Sequence, residues 1–225
     1  MRIDLCVCII FCTFADEKDK LIMRIVILGT AWPYRGGLAA FNERLARQFV
    51  AEGHEVEVVT FTLQYPSFLF PGKTQYSNEK APEGLKIVRE INSCNPLSWM
   101  KVGKRLQKEA PDLLISCYWM AFFAPCYGVI QSIVKRNGRT KCIGLVHNMI
   151  PHEPSMLDNC LAPFYVKKTD GFVALSDSVV QDVALLDKDQ KPKTFSPHPV
   201  YDHYGEQMGK AEACAALGLD EEKRY

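Results

Sequence analysis

The sequence predicts an α/β protein built on one doubly wound parallel sheet. Three observations carry that prediction. Short β-branched runs alternate with segments of helical period between Met23 and Pro199, the pattern of strands joined by right-handed crossovers. Arg24–Gly29 is β-branched and, after Arg24, apolar without a break, as strands covered on both faces require. The helical segments also carry their own start and stop signals: Gly53 and Gly138 as stops, Ser176-Asp177-Ser178 as an N-cap.

Arg24–Gly29 is the first strand. Gly37–Gly53 follows as a helix, with Leu38, Phe41, Leu45, Phe49 and Val50 at three- and four-residue steps. Glu55–Phe61 is the second strand, Thr62–Gly84 a long Pro/Gly/aromatic segment without a period, and Leu85–Ile91 the third strand. Trp99–Ala110 reads as an amphipathic helix, Asp112–Cys117 as the fourth strand and Met120–Asn137 as one long apolar helix. Lys141–His147 is the fifth strand. A loop through Pro154 leads to a helix around Leu157–Lys168, Gly171–Leu175 is the sixth strand, and a helix runs to about Leu186. Lys193–Ser196 is a final short strand. Beyond Pro199 the pattern loosens into a linker at Tyr201–Gly209 and a short helix at Lys210–Leu217. Tyr225, straight after a charged turn, reads as the first residue of another strand.

The expected organisation is therefore a domain over residues 23–199, then a linker and the start of a further domain over 200–225. Residues 1–22 stand apart. Their apolar run Leu5–Phe14 is too short to span a bilayer as a helix. Three readings stay open: an upstream extension of a gene that starts at Met23, a targeting or membrane-surface segment, or an extra strand.

The 225 residues are 48% hydrophobic and 24% charged, enough for a substantial core. Lys plus Arg (27) nearly cancels Asp plus Glu (26), so a nucleic-acid partner, which calls for a basic excess, is not expected. Three of the nine cysteines fall in the first dozen residues, and the other six form no C-x-x-C pair. Reduced thiols in a cytoplasmic protein are expected, with no metal and no cofactor.

In a doubly wound sheet, ligands sit beyond the carboxyl ends of the strands. The first strand runs into Gly29-Thr30-Ala31-Trp32-Pro33-Tyr34-Arg35-Gly36-Gly37, which is neither G-x-G-x-x-G nor a P-loop. Paired glycines at a helix start let backbone amides approach a phosphate; equally, they serve a tight turn that needs positive φ. The fifth strand ends in His147-Asn148-Met149-Ile150-Pro151-His152-Glu153. There His147 is either a crevice histidine or a satisfied rim residue, and His152 with Glu153 makes a weak metal pattern. No G-x-S-x-G elbow surrounds Ser176 and Ser178, and His198 between two prolines reads as a hinge element. Lys101, Lys104, Arg105 and Lys108 form a basic stripe, either a solvated helix face or an attraction to anionic headgroups. The apolar stretch Tyr65–Pro71 is a binding lid or packs on the domain.

Taken together, the run into Gly36-Gly37, the Tyr65-Pro66…Leu69-Phe70-Pro71-Gly72-Lys73-Thr74-Gln75 segment, Val146-His147-Asn148 with Pro151-His152-Glu153, Phe172–Ser176 and Pro197–Asp202 resemble family-4 glycosyltransferases of the GT-B fold. The resemblance covers about 24–225. It implies the Rossmann-like N-terminal, acceptor-side domain of a two-domain enzyme. Such an enzyme is metal-independent and retains anomeric configuration, moving sugar from a nucleotide-diphosphate sugar to a glycan or lipid-linked acceptor. It further implies that Gly36 and Gly37 face the donor diphosphate and that His147 orients the transferred sugar. Trp32, Tyr34, Arg35, Asn148, His152 and Glu153 become acceptor or cleft contacts. The family's two-glutamate donor motif belongs to a C-terminal domain with no counterpart in these residues, so the chain alone is expected to be inactive; a cytoplasmic place is expected, either free or at the inner face of the membrane as the basic stripe is read one way or the other. A nucleotide-sugar epimerase half on the same fold and a non-enzymatic Rossmann-like binding module are the alternatives.

Overall fold

The computed structural model describes residues 22–66, 74–151, 156–198 and 208–223. Its strands are β1 (Arg24–Leu28), β2 (Glu55–Leu63), β3 (Lys86–Asn92), β4 (Leu113–Tyr118), β5 (Lys141–Val146), β6 (Gly171–Ala174) and β7 (Lys193–Phe195). They form one seven-stranded sheet in the order β3-β2-β1-β4-β5-β6-β7, and every pairing is parallel. The helices are α1 (Gly37–Ala51), α2 (Pro96–Glu109), α3 (Ala124–Val134), α4 (Met156–Lys168), α5 (Asp177–Leu186) and α6 (Lys210–Leu217).

The unbroken apolar strands are explained by two cores. Ile25 and Ile27 of β1 join Phe41, Leu45 and Phe49 of α1 on one face. Val26 and Leu28 point the other way, into a cluster with Leu106 of α2, Tyr127 of α3, Tyr165 of α4 and Val183 of α5. Period-2 alternation therefore divides residues between two apolar layers rather than between core and solvent. A polar network is embedded in the second layer. Ser116 Oγ lies 2.8 Å from Tyr165 Oη, Gln131 Nε2 donates to Ser116 Oγ at 2.9 Å, and Thr169 Oγ1 donates to Gln131 Oε1 at 3.2 Å.

Three differences from the sequence reading have local causes. α2 starts three residues early because Asn95 caps it, accepting from Leu97 N at 3.0 Å, with Pro96 in the first turn. The long apolar helix is divided into a 3-10 turn at Ala121–Phe123, then α3, then a second 3-10 turn at Lys135–Asn137. Pro125, which has no N–H to donate, sits in the first turn of α3, and Gly138 closes the segment at φ 71°. In the basic stripe, Arg105 turns inward: it contacts Glu57 at 2.7 Å, Glu90 at 2.9 Å and Glu109 at 3.1 Å. Lys101, Lys104 and Lys108 remain exposed.

The crossover from β2 to β3 contains no helix among its described residues. Irregular chain is pinned there instead: Trp32 Nε1 donates to Glu79 O at 3.0 Å, Arg47 to Glu83 O at 2.9 Å, and Tyr34 bridges Tyr76. Tyr65 packs on Phe123, with ring centroids 6.1 Å apart; the rest of the apolar loop, residues 67–73, lies outside the described residues, as do the leader through residue 21 and most of the linker. The cysteines at 94, 117, 126, 142, 160 and 214 are free thiols.

Candidate active-site crevice

Strand order reverses between β1 and β4, so the crevice of a doubly wound sheet opens at the carboxyl ends of these two strands. The turn after β1 is built to be tight. A Cβ on Gly29 would stand 2.7 Å from Asn42 Nδ2 and 3.0 Å from Cys117 Cβ, so glycine lets α1 and β4 close on the chain. Asn42 Nδ2 then donates to Thr30 O at 2.8 Å, and Ala31 N to Thr60 Oγ1 at 3.0 Å. Trp32 N donates to Glu43 Oε1 at 2.7 Å, ahead of a cis Trp32–Pro33 bond. Burial raises the Glu43 carboxyl above its ordinary value, although the Trp32 N–H and Arg47 pull the other way.

That turn delivers Gly36 at φ 114°, ψ 175° as the N-cap of α1. Only glycine occupies this region comfortably. The first turn of α1 carries no acidic residue, and Arg35, Gly36 and Gly37 are exposed. The need for positive φ and an anion-ready helix start thus coincide at one residue.

His147 follows β5, its backbone N donating to Tyr118 O at 2.9 Å. Its ring stands edge-on to Phe41 of α1 at 4.9 Å and 6.3 Å from the ring of His198, which itself lies 5.1 Å from Phe41. Residues 41, 147 and 198 thereby meet at the crevice. His147 Nε2 is buried with no hydrogen-bond partner among the described residues. Burial, and secondarily the charge of His198, push the His147 pKa down to about 4. Near neutral pH it is therefore an uncharged imidazole, able to donate or accept one hydrogen bond.

The remaining predicted contacts divide. Trp32 holds the turn and the β2–β3 segment through both its N–H groups. Tyr34 is 3% exposed, its Oη accepting from Gln64 N at 3.1 Å; burial foremost, then Tyr76, raises its pKa to about 12. Arg35 is tied by its backbone, which donates to Gln75 O at 3.0 Å, and Asn148 is exposed. His152 and Glu153 lie outside the described residues. Among the described residues, no group of three His, Cys, Asp or Glu side chains could hold a metal ion.

Two cavities adjoin the glycine turn. The larger, about 650 Å³, is lined by Trp32, Arg35, Glu43, Arg47, Tyr76 and Lys80 among others. The smaller, about 210 Å³, is lined by Tyr34, Arg35, Gly36, Gln64, Tyr65 and Gln75. Sequence reasoning singled out neither Glu43 nor Gln64, and it placed Phe41 only in the apolar pattern of a helix. Each is ordinary in sequence and acquires its role through a contact between distant parts of the chain.

The crevice thus joins a glycine-opened helix start to a half-buried, neutral histidine on one Rossmann-like parallel sheet. The sequence profile of Glycosyltransferase Family 4 matches residues 35–196, and the chain belongs to that family. No protein of curated function matches at a significant level. Among solved structures, the Anabaena protein HepE in complex with UDP and glucose is similar at 13% identity and TM-score 0.56, covering 87% of this chain and 50% of its own. An alpha-glucosyltransferase in complex with UDP and DNA containing an HMU base is similar at 17% identity and TM-score 0.47, covering 81% and 44%. Trehalose 6-phosphate synthase from Burkholderia multivorans gives 12% identity and TM-score 0.42, covering 88% and 52%. The chain thus spans about half the length of these structures.

Proposed function

We propose that this chain is the acceptor-side half of a retaining glycosyltransferase that moves a sugar from a nucleotide-diphosphate sugar to a glycan or lipid-linked acceptor. The observation that carries this reading is the orphaned Nε2 of His147 beside the first turns of α1. A buried polar atom without a partner is costly, and a sugar hydroxyl in the crevice would satisfy it. Because His147 is uncharged, it suits a hydroxyl of the transferred sugar rather than the diphosphate. The amides at the Gly36–Gly37 helix start suit the diphosphate, where charge develops as the leaving group departs. The departing phosphate then assists removal of the acceptor proton on the same face, which retains configuration. A donor-binding second domain would supply the nucleotide pocket, so these residues alone hold the sugar nucleotide weakly and do not transfer it.

The exposed side of α2 supports peripheral membrane contact. Leu97 is 72% and Met100 42% exposed, flanked by exposed Lys101, Lys104 and Lys108, the composition of a helix lying on an anionic surface. No helix among the described residues is long and apolar enough to cross a membrane.

Titration of the isotope-labelled chain with UDP-glucose and GDP-mannose, followed by NMR, tests the reading. Weak binding that shifts the Gly36 and Gly37 amides and the His147 ring is expected, with no transfer to lipid extracts. Absence of any shift at those positions refutes the assignment, and tight binding by this chain alone refutes the division of labour.

A further inference from the structure

The imidazole at the centre of the crevice is covered. His147 as a residue is only half-buried, yet its Nε2 has essentially no surface open to solvent and no hydrogen-bond partner among the described residues. A ligand atom therefore has no route to Nε2 until a neighbour moves. Among the described residues, two rings stand against the imidazole. Phe41 is edge-on at 4.9 Å and His198 lies at 6.3 Å, with His198 also 5.1 Å from Phe41.

These two neighbours differ in freedom. Phe41 sits inside α1, is 3% exposed and packs in the apolar layer with Ile27, Leu45 and Leu145. Displacing it would leave a void in that layer. His198 is exposed and belongs to no strand or helix. Ser196 N donates to Ala174 O at 2.9 Å and pins the chain just before it, while Pro197 has no N–H with which to continue the ladder. A single aromatic pair is a weak tie, worth about two- to tenfold in population. Of the groups packed on the imidazole, Phe41 of α1 is apolar and Tyr118 of β4 offers its backbone carbonyl. His198 is the one whose charge acts on it, and that charge adds to burial in holding the His147 pKa low.

We propose that His198 is a swinging cover on the site histidine: in the arrangement seen here it closes over His147, and its displacement from Phe41 opens Nε2 to the ligand. The proposal rests on the glycosyltransferase reading for the identity of that ligand and adds a means of regulation to it. Because His198 follows directly on β7, a pull on the chain beyond the sheet is transmitted to the cover. His198 is thus a positioning residue, acting through His147 and touching no reacting atom.

The test uses the 225-residue chain and diethyl pyrocarbonate, which acylates uncharged imidazole nitrogen and so reports its exposure. Peptide mass mapping assigns the label to His147. Near neutral pH the wild-type His147 should react slowly although it is uncharged. His198→Ala should speed its labelling by up to about tenfold, the scale of one ring pair, whereas His198→Phe, which keeps a ring against Phe41, should leave it slow. The His147 pKa, about 4 in the wild type, should rise in His198→Ala, where cover and neighbouring charge both go, and less in His198→Phe, where only the charge goes. Fast labelling of His147 in the wild type or in His198→Phe overturns the proposal, as does a rate in His198→Ala equal to wild type. A merely structural His198 would lower the melting temperature and leave the His147 rate and pKa unmoved, which overturns it too. UDP-glucose separates the cover from the reading beneath it. Shifts at Gly36 and His147 with equal labelling in wild type and His198→Ala remove the cover alone. Unmasking of His147 by His198→Ala with no UDP-glucose response at Gly36 or His147 leaves the cover and removes the transferase reading.

Discussion

Replacing Arg105 with methionine should be among the most damaging changes available on the surface of this chain. Glu57 of β2 lies under α2 at 4% side-chain exposure, with Lys86 Nζ at 2.5 Å and Arg105 at 2.7 Å. Burial pushes the Glu57 carboxyl up, but the two cations outweigh it and hold the pKa below its ordinary value. Lys86 is 63% exposed and therefore screened, so Arg105 is the partner that counts. Breaking a buried pair by removing one member costs about 3–5 kcal/mol. The residual attraction to Lys86 and the partial exposure of Arg105 (25%) place Arg105→Met near the bottom of that range, about 3 kcal/mol. Against a domain stability of about 5–15 kcal/mol, that is a large fraction. Urea unfolding at neutral pH measures it. The deficit should narrow on acidification, because a carboxyl with a depressed folded pKa contributes stability above its unfolded pKa and loses it as pH falls through the folded one. A Glu57→Leu/Arg105→Met double variant should recover most of the loss. A single-variant cost under about 1 kcal/mol, or a double variant no better than the single, would refute a buried charge that depends on Arg105.

Other outcomes follow from the same structure. His147, neutral because its pKa is driven to about 4, must bind its proton less readily folded than unfolded. Stability should therefore fall between about pH 6.5 and pH 4, and His147→Gln should flatten that part of a pH–melting curve. Gly36→Ala meets no atom within 4 Å but holds φ at +114°, so calorimetry should show a purely backbone cost of about 1–3 kcal/mol. Gly144→Ala fails for the opposite reason, its Cβ falling 2.6 Å from Tyr165 Oη and 2.9 Å from the Phe172 ring; denaturant unfolding should show a loss of about 1–3 kcal/mol from overpacking. Gln131→Leu removes one donor and one acceptor from the buried network, but Ser116 keeps Tyr165 Oη and Thr169 keeps Tyr165 O, so the loss read from unfolding should be only about 1 kcal/mol.

What could be read without coordinates was whatever is local. The unbroken run Arg24–Leu28 announced a strand covered on both faces, and Ser176 announced the start of α5, where it accepts from Val179 N. Pro125 fragmented an apolar helix whose composition alone looked continuous. Gly36 and His147 were legible as candidates because each ends a strand-to-loop passage on the ligand side of the sheet. The meeting of His147 with Phe41 and His198 was not legible, since it joins residues 41, 147 and 198 across three crossovers. Nor was the inward turn of Arg105, which depends on a carboxylate in a strand nearly fifty positions earlier. The same holds for the covered Nε2 of His147, where the missing partner is the whole signal.

The seam between β1 and β4 also dictates the order in which the molecule can be assembled. β1 pairs with β2 about thirty positions on, Ile25 opposite Val56, but its other edge waits for Leu113, 88 positions downstream. At about 5–20 residues per second of synthesis, a bare apolar edge stands open on the nascent chain for roughly 4–18 s. Contacts so distant in sequence make folding slow and aggregation-exposed. The crevice therefore begins to take shape only when this central seam closes, and a ribosome-bound chain shorter than β4 has no crevice in which to hold a ligand.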